Sequence, residues 1–372
     1  MKKGLQFALL GIVGMLIVGA IVFFEAKKIG ISGGSVDEAV DIEINTMSRE
    51  DKAKEYKLAK EIVSPAGFIN TDGITIQEFI GKKVVLIDFW TYSCINCQRT
   101  LPYLTSWYEK YRGDGLEIIG VHTPEFEFEK KHENVQRAVD EYDIMYPVVL
   151  DNDYATWRNY NNRYWPRKYI IDIDGFIVYD HIGEGAYEET EQIIQALLAE
   201  RKTVLNEESE VPTGVVSPEN AEDVDYGSPR SPETYFGSLR NTNFGSGEAG
   251  KKGENVFSVP EIPLSDTLYL RGRWDIQEEY ARNTEASAAI VYKFQAQKVF
   301  LVGRANSPVR ARVLIDGEVI SPEMEGKDVS DGYVVFSEDR LYRIVEGSDW
   351  GEHTLMIIPE TGGLEAYAFT FG

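Results

Sequence analysis

From Leu5 to Phe24 only Gln6 is strongly polar. About 20 helical residues rising about 1.5 Å each match a hydrocarbon core of about 30 Å. Val18-Gly-Ala20 offers a signal-peptidase site, but the apolar run continues through Phe24, so its length predicts a retained membrane anchor over residues 1–28. Lysines flank both ends (Lys2 and Lys3, Lys27 and Lys28) and leave the positive-inside rule nearly neutral. The short N-terminal tail is the easier part to leave behind, which predicts a single-pass protein of the cytoplasmic membrane with its bulk on the extracytoplasmic side.

Residues 29–47 are Gly/Ser-rich and then acidic, the pattern of a flexible spacer. Ser48 and Asp51 form a capping-box pattern that opens a helix running to Pro65. KVVLIDFW (83–90) is a continuous apolar run of buried-strand type, CINCQRTLPYLTSWYEKYR reads as a helix kinked at Pro102, LEIIGVH (116–122) as a second strand, and residues 129–143 as a second helix. YPVVLDND follows, and Asp174-Gly175 then divides two β-rich runs as a hairpin. AYEETEQIIQALLAERK places Ile193, Ile194, Leu197 and Leu198 on one helical face. Strand and helix alternation over 48–204 predicts an α/β domain with a mixed sheet covered on both faces. Residues 205–230, rich in Glu, Asp, Pro, Ser and Gly, read as a linker. Residues 231–372 show short strand-like runs between turn signals and no helix-length segment, which predicts an all-β sandwich or jelly roll.

Composition narrows the function. With 38 Lys+Arg against 61 Asp+Glu the formal charge is -23, which repels phosphate backbones and excludes nucleic acid as a partner. The chain has two cysteines, Cys94 and Cys97. A bridge across two intervening residues removes little entropy from the unfolded chain, so stapling is not its use. A zinc site needs four ligands, and His122 and His132 stand on different predicted elements, so no metal is expected. At the mouth of a helix that follows a buried strand, the first sulfur faces free N–H groups and the positive helix end, which favours thiolate over thiol. The second can close a local disulfide, so the pair suits thiol–disulfide exchange with no cofactor beyond its own redox-active disulfide.

Asp88 lies inside VVLIDFW, where burial penalises the charged form. A carboxyl kept near neutrality can take and return a proton; the alternative is a strand-end residue bonded to a loop. Trp165-Pro166 opens a strand, and a cis bond there would present the Trp165 backbone to an extended peptide, whereas a trans proline would be an ordinary strand entrance. His122 and Glu125, in HTPEF after the second strand, fall on the same sheet edge as the cysteine loop; such loop residues can equally be simply solvated. Trp90, ending the first strand, joins Trp165, Pro166, His122 and Glu125 as a substrate-binding candidate.

KVVLIDFWTYSCINC resembles the thioredoxin pattern of a strand Asp-Phe-Trp followed by Cys-x-x-Cys. GVHTPEFEFEKKHENVQRAV, YPVVLDND, YWPRKYIIDIDG and AYAFTFG resemble the soluble part of DipZ-type thiol:disulfide interchange proteins, over roughly residues 60–372. The resemblance implies a thioredoxin-like domain joined to a β-sandwich similar to a carbohydrate-binding module. It further implies Cys94 as attacking thiol, Cys97 as resolving thiol, Asp88 as buried acid and Pro166 as cis-proline. Such proteins commonly carry a multi-span electron-conducting domain, whereas here one anchor is expected in the lipid bilayer. Electrons would then come from a separate membrane electron-transfer protein. Ile95-Asn96 stands where cytosolic thioredoxin has Gly-Pro. The expected activity is reduction of disulfide-containing client proteins, as in membrane-tethered relatives that serve cytochrome c maturation. Two other readings stay open: a surface glycan-binding protein using Trp274, Tyr280, Tyr292 and Trp350, residues that in a sandwich usually pack the core, and a thiol peroxidase, whose single-cysteine Pro/Thr pattern is missing.

Overall fold

Val84–Trp90 has every residue buried and forms the central strand of a seven-stranded sheet. The protein is described by a computed structural model covering residues 47–372 except 223 and 226. The strands are β1 (Lys57–Leu58), β2 (Gly67–Ile69), β3 (Val84–Trp90), β4 (Leu116–His122), β5 (Val148–Leu150), β6 (Arg167–Ile171) and β7 (Phe176–Ile182), in the order β1-β7-β6-β3-β4-β5-β2. β3, β4 and β5 run parallel, while β6 and β7 return antiparallel through the Asp174-Gly175 turn, where Gly175 takes φ +92°. Val85, Ile87 and Phe89 share a core with Ile119, Val121, Trp157 and Tyr169. The two-residue period turns Leu86, Asp88 and Trp90 to the other face.

The helices are α1 (Arg49–Glu55), α2 (Ile95–Tyr111), α3 (His132–Glu141), α4 (Ala155–Asn159) and α5 (Tyr187–Leu205). Ser48 caps α1, its side chain accepting from Asp51 N, but the helix ends at Glu55 rather than near Pro65. Tyr56 turns extended and Lys57 pairs with Ile177, so sheet hydrogen bonds take over the segment. The helix expected over 129–143 is likewise split into a 3₁₀ turn, Glu127–Lys130, and α3, because Lys131 is extended and Glu129 is turned inward. Lys52 is buried on α1, its Nζ 2.7 Å from Asp172 and 3.2 Å from Asp174, with Glu200 as a third partner. Those three carboxylates form a cluster of metal-ligand type, but the ammonium already supplies its cation.

The stretch read as a membrane anchor, residues 1–28, and the spacer after it lie outside the described residues. Among the described residues no helix is long and apolar enough to cross a membrane; the longest, α5, carries Glu188, Glu189, Glu191, Glu200, Arg201 and Lys202. The expected single-pass placement in the cytoplasmic membrane is corrected accordingly.

In the second domain the strands between Thr234 and Phe371 are hydrogen-bonded into one eleven-stranded sheet rather than two separate ones. The cause is two long strands, Ala289–Ala305 and Arg340–Pro359, which pair along most of their length with register shifts at Ala296/Lys298 and Val299/Phe300. The other edge of Ala289–Ala305 is shared between Leu268–Ile276 and Leu364–Phe371, so the sheet bends around a single core. Trp274 and Tyr292 lie fully buried in that core, Tyr280 packs 5.2 Å from Tyr367, and Trp350 packs against the core edge. The aromatic residues considered for sugar stacking are therefore mostly interior.

The two domains pack as one unit over Ile44–Gly372. Phe126 and Phe128 meet Tyr367 at 5.1 and 4.8 Å, and Lys131 pairs with Asp339 at 2.9 Å. Glu222, in the stretch read as a linker, bridges Arg99 on α2 to Lys298 and Arg343 of the second domain. Charge pairing and two phenylalanines thus replace a loose tether.

Candidate active site

Three chain segments converge on one sheet edge. β3 and β4 are parallel, so the loops after Trp90 and His122 leave from the same side; Thr123 N donates to Trp90 O at 3.0 Å. β6 is antiparallel to β3, with Phe89 opposite Arg167, so the residues before β6 arrive there too. The Trp165–Pro166 peptide is cis. Trp165 Nε1 donates to Thr123 O at 3.0 Å and its ring lies 4.3 Å from Trp157. Its backbone N–H and C=O have no partner among the described residues, so both can pair with an extended chain.

Cys94 is the N-cap of α2, in extended conformation, and its Sγ accepts from Cys97 N at 3.4 Å. An N-cap sulfur takes one of the amides the first helical turn leaves unpaired. Cys94 is partly exposed and Cys97 is 1% exposed; both are free thiols. Burial pushes the Cys97 thiol well up, reinforced by its hydrogen bond with Cys94 and by the nearby charges of Cys94 and Asp88. Access therefore distinguishes the two sulfurs, since of the pair only Cys94 is partly exposed.

Asp88 is buried, with neither carboxylate oxygen hydrogen-bonded among the described residues. Burial pushes its pKa up to about 7, against the pull of Lys168. Lys168 is the register partner of Asp88 across β3 and β6 and is fully buried, with Nζ 3.2 Å from Gly183 O. Its own pKa is lowered to about 8 by burial, with Asp88 and Cys97 opposing. An acid and a base that both titrate near neutrality thus lie beneath the resolving thiol.

Other sequence-derived candidates fall elsewhere. Trp90 and His122 are fully buried, edge to face at 5.1 Å, and cannot meet a client. Burial lowers the His122 pKa to about 3, so its imidazole is neutral. Glu125 is held by Tyr235 Oη at 2.9 Å and Arg240 at 2.6 Å from the second domain. The sequence reading passed over Glu129 and Lys168. Glu129, fully buried, accepts from Ser93 N and Oγ and from the amides of Glu125 and Phe126, locking the cysteine loop to the loop after β4. Its only sequence signal is a carboxylate alternating with phenylalanine in EFEFE; for Lys168 the signal is a cation inside an apolar strand.

Residues 50–180 match the AhpC/TSA family, and residues 231–372 match the thioredoxin-like C-terminal domain. Protein DipZ of Mycobacterium bovis and that of Mycobacterium tuberculosis are each 36% identical over 319 residues, 84% of this chain and 43% of theirs. The chain thus spans less than half the length of those curated relatives. Thiol-disulfide oxidoreductase YkuV of Bacillus subtilis is 29% identical over 140 residues, 38% of this chain and 93% of that protein. Among solved structures, a thioredoxin-like protein in its oxidised form covers 39% of this chain and 97% of its own, at 28% identity and TM-score 0.37. The chain thus carries an AhpC/TSA-family domain and a thioredoxin-like C-terminal domain, and is a homologue of DipZ across both.

Proposed function

We propose that the chain is a dithiol–disulfide oxidoreductase that reduces disulfides in client proteins. The observation that carries this reading is the asymmetry of the pair: a reachable Cys94 at a helix N-terminus and a buried Cys97 beside an unpaired, titratable Asp88. The names of two relatives of this chain, thiol-disulfide oxidoreductase YkuV and thiol-disulfide oxidoreductase ResA of Bacillus thuringiensis, the latter 29% identical over 150 residues, support it.

In the proposed cycle the Cys94 thiolate attacks one sulfur of the client disulfide, forming a mixed disulfide and releasing the first client thiolate. The extended client segment pairs with the free backbone groups of Trp165. Asp88 accepts the Cys97 proton, and the Cys97 thiolate attacks Cys94 Sγ, releasing the second client thiolate and closing Cys94–Cys97. The client gains two electrons, and a separate electron-transfer protein restores the dithiol. Apocytochrome Cys-x-x-Cys disulfides, the clients of cytochrome c maturation, belong to the proposed substrate class; reduction of such a peptide tests that extension. Insulin-disulfide reduction by the full chain tests the core reading. Activity is expected to vanish in Cys94→Ser, and undiminished activity in that variant would contradict the assignment.

A further inference from the structure

Between Pro124 and Glu127 the chain takes its shape from side chains. The amides of Glu125 and Phe126 donate to Glu129 Oε2 at 2.6 and 3.0 Å, and the amide of Glu127 donates to Glu279 Oε2 of the second domain at 2.9 Å. The other oxygen of Glu129 accepts from Ser93 N at 3.2 Å and Ser93 Oγ at 2.6 Å, directly before Cys94. One fully buried carboxylate thus ties this loop to the cysteine loop, and a buried polar group satisfied in this way specifies one geometry. The same loop carries the segment assigned to pair with the client, because Thr123 O accepts from Trp165 Nε1 at 3.0 Å. Residues 123–127 are therefore the shared support of Cys94 and Trp165, the two groups an extended client has to meet at once.

The second domain grips this support at three consecutive residues. The Glu125 carboxylate lies 2.6 Å from Arg240 Nη1 and 2.9 Å from Tyr235 Oη. The Phe126 ring, 1% exposed, meets Tyr367 at 5.1 Å and the Arg240 guanidinium at 5.3 Å, and Glu127 is held by Glu279. Arg240 also stacks on the Tyr235 ring at 3.7 Å, so its planar fork is fixed on an aromatic face while it pairs with the carboxylate. Two residues past Cys97, Arg99 is covered from the same domain, its guanidinium 5.5 Å from the Phe300 ring.

We propose that the second domain is a positioning part of the reductase: through Arg240 it holds the 123–127 loop, and so fixes the Cys94 sulfur relative to the backbone groups of Trp165. The proposal rests on the reading of Cys94 as attacking thiol and deepens it by giving the second domain a role in the attack step. A protein client must bring its sulfur in line with Cys94 while its chain pairs with Trp165, and a misplacement of about 1 Å in such an oriented reaction can cost about 100-fold. A small reagent that meets Cys94 alone has no such requirement. Arg240 acts through Glu125 and is a positioning residue.

The test compares two rates in the pre-reduced full chain at one pH: single-turnover oxidation by insulin, and alkylation of Cys94 by iodoacetamide. In Arg240→Ala the insulin rate is expected to fall about tenfold while alkylation stays within about twofold of the parent. Arg240→Lys keeps a cation opposite Glu125 and should recover part of the insulin rate. Arg240→Ala combined with Glu125→Gln should be no slower than the slower single variant, since both changes remove one interaction. An insulin rate unchanged in Arg240→Ala, or one that falls only in step with alkylation, would overturn the positioning role and leave the oxidoreductase reading intact. A parent chain that does not react with insulin would overturn that reading itself.

Discussion

Replacing Asp88 with Asn separates the stability cost of the carboxyl from its use. Burial moves its pKa from 3.8 to about 7. At about 1.36 kcal/mol per tenfold change, that corresponds to about 4 kcal/mol by which the fold prefers the neutral acid. The unfolded carboxyl gives up its proton near pH 4 and the folded one only near pH 7. Between those values the unfolded state binds fewer protons, so stability falls as pH rises, and above pH 7 the full penalty is present. Asn removes it. Reduced Asp88→Asn is expected to exceed the parent in stability by about 2–4 kcal/mol near pH 8, the lower figure because Lys168 loses its counter-charge, and to match it near pH 4. Urea unfolding of the reduced proteins at both pH values measures this. Loss of the proton acceptor should slow insulin reduction by about 100-fold while mixed-disulfide formation at Cys94 persists. A variant no more stable than the parent near pH 8, or one with undiminished turnover, would refute the role given to Asp88.

Three further expectations follow from the buried charges. Lys52→Met strands Asp172 and Glu200 without their cation and should cost about 3–5 kcal/mol in denaturant unfolding; an unchanged midpoint would contradict the pairing. Glu129→Ala removes the acceptor shared by Ser93, Glu125 and Phe126 and should cost about 2–3 kcal/mol while lowering turnover, with both thiols still titrating by thiol count. Lys168→Met takes away a cation that interacts directly with the Cys97 thiolate, so the pH at which Cys97 alkylates in a Cys94→Ser background should rise; an unmoved profile would show that Lys168 does not bear on the pair.

The sequence makes the parts of this site more legible than their neighbours. Asp88, Cys94 and Cys97 lie within ten residues, on a strand and helix whose periodicity and capping are local properties, and the Asp174-Gly175 turn is equally local. Lys168 is not legible in that way, since its meaning lies in a register that pairs it with a residue 80 positions earlier. His122 and Trp90 looked available because a strand end next to a motif resembles a surface, yet each fills the other's interior contact. The burial of Glu125 under Arg240 and Tyr235 depends on docking of the second domain, and linker composition carries no sign that Glu222 would pin the two together. The single sheet of the second domain follows from two unusually long strands, which turn signals at the strand ends do not reveal.

The account stands most directly on which sulfur meets the client. Mass analysis of reduced Cys97→Ser after exposure to insulin should show one insulin chain joined to Cys94, and Cys94→Ser treated in the same way should show none at Cys97. Adducts forming at Cys97 as readily as at Cys94, or no adduct on either variant, would contradict it.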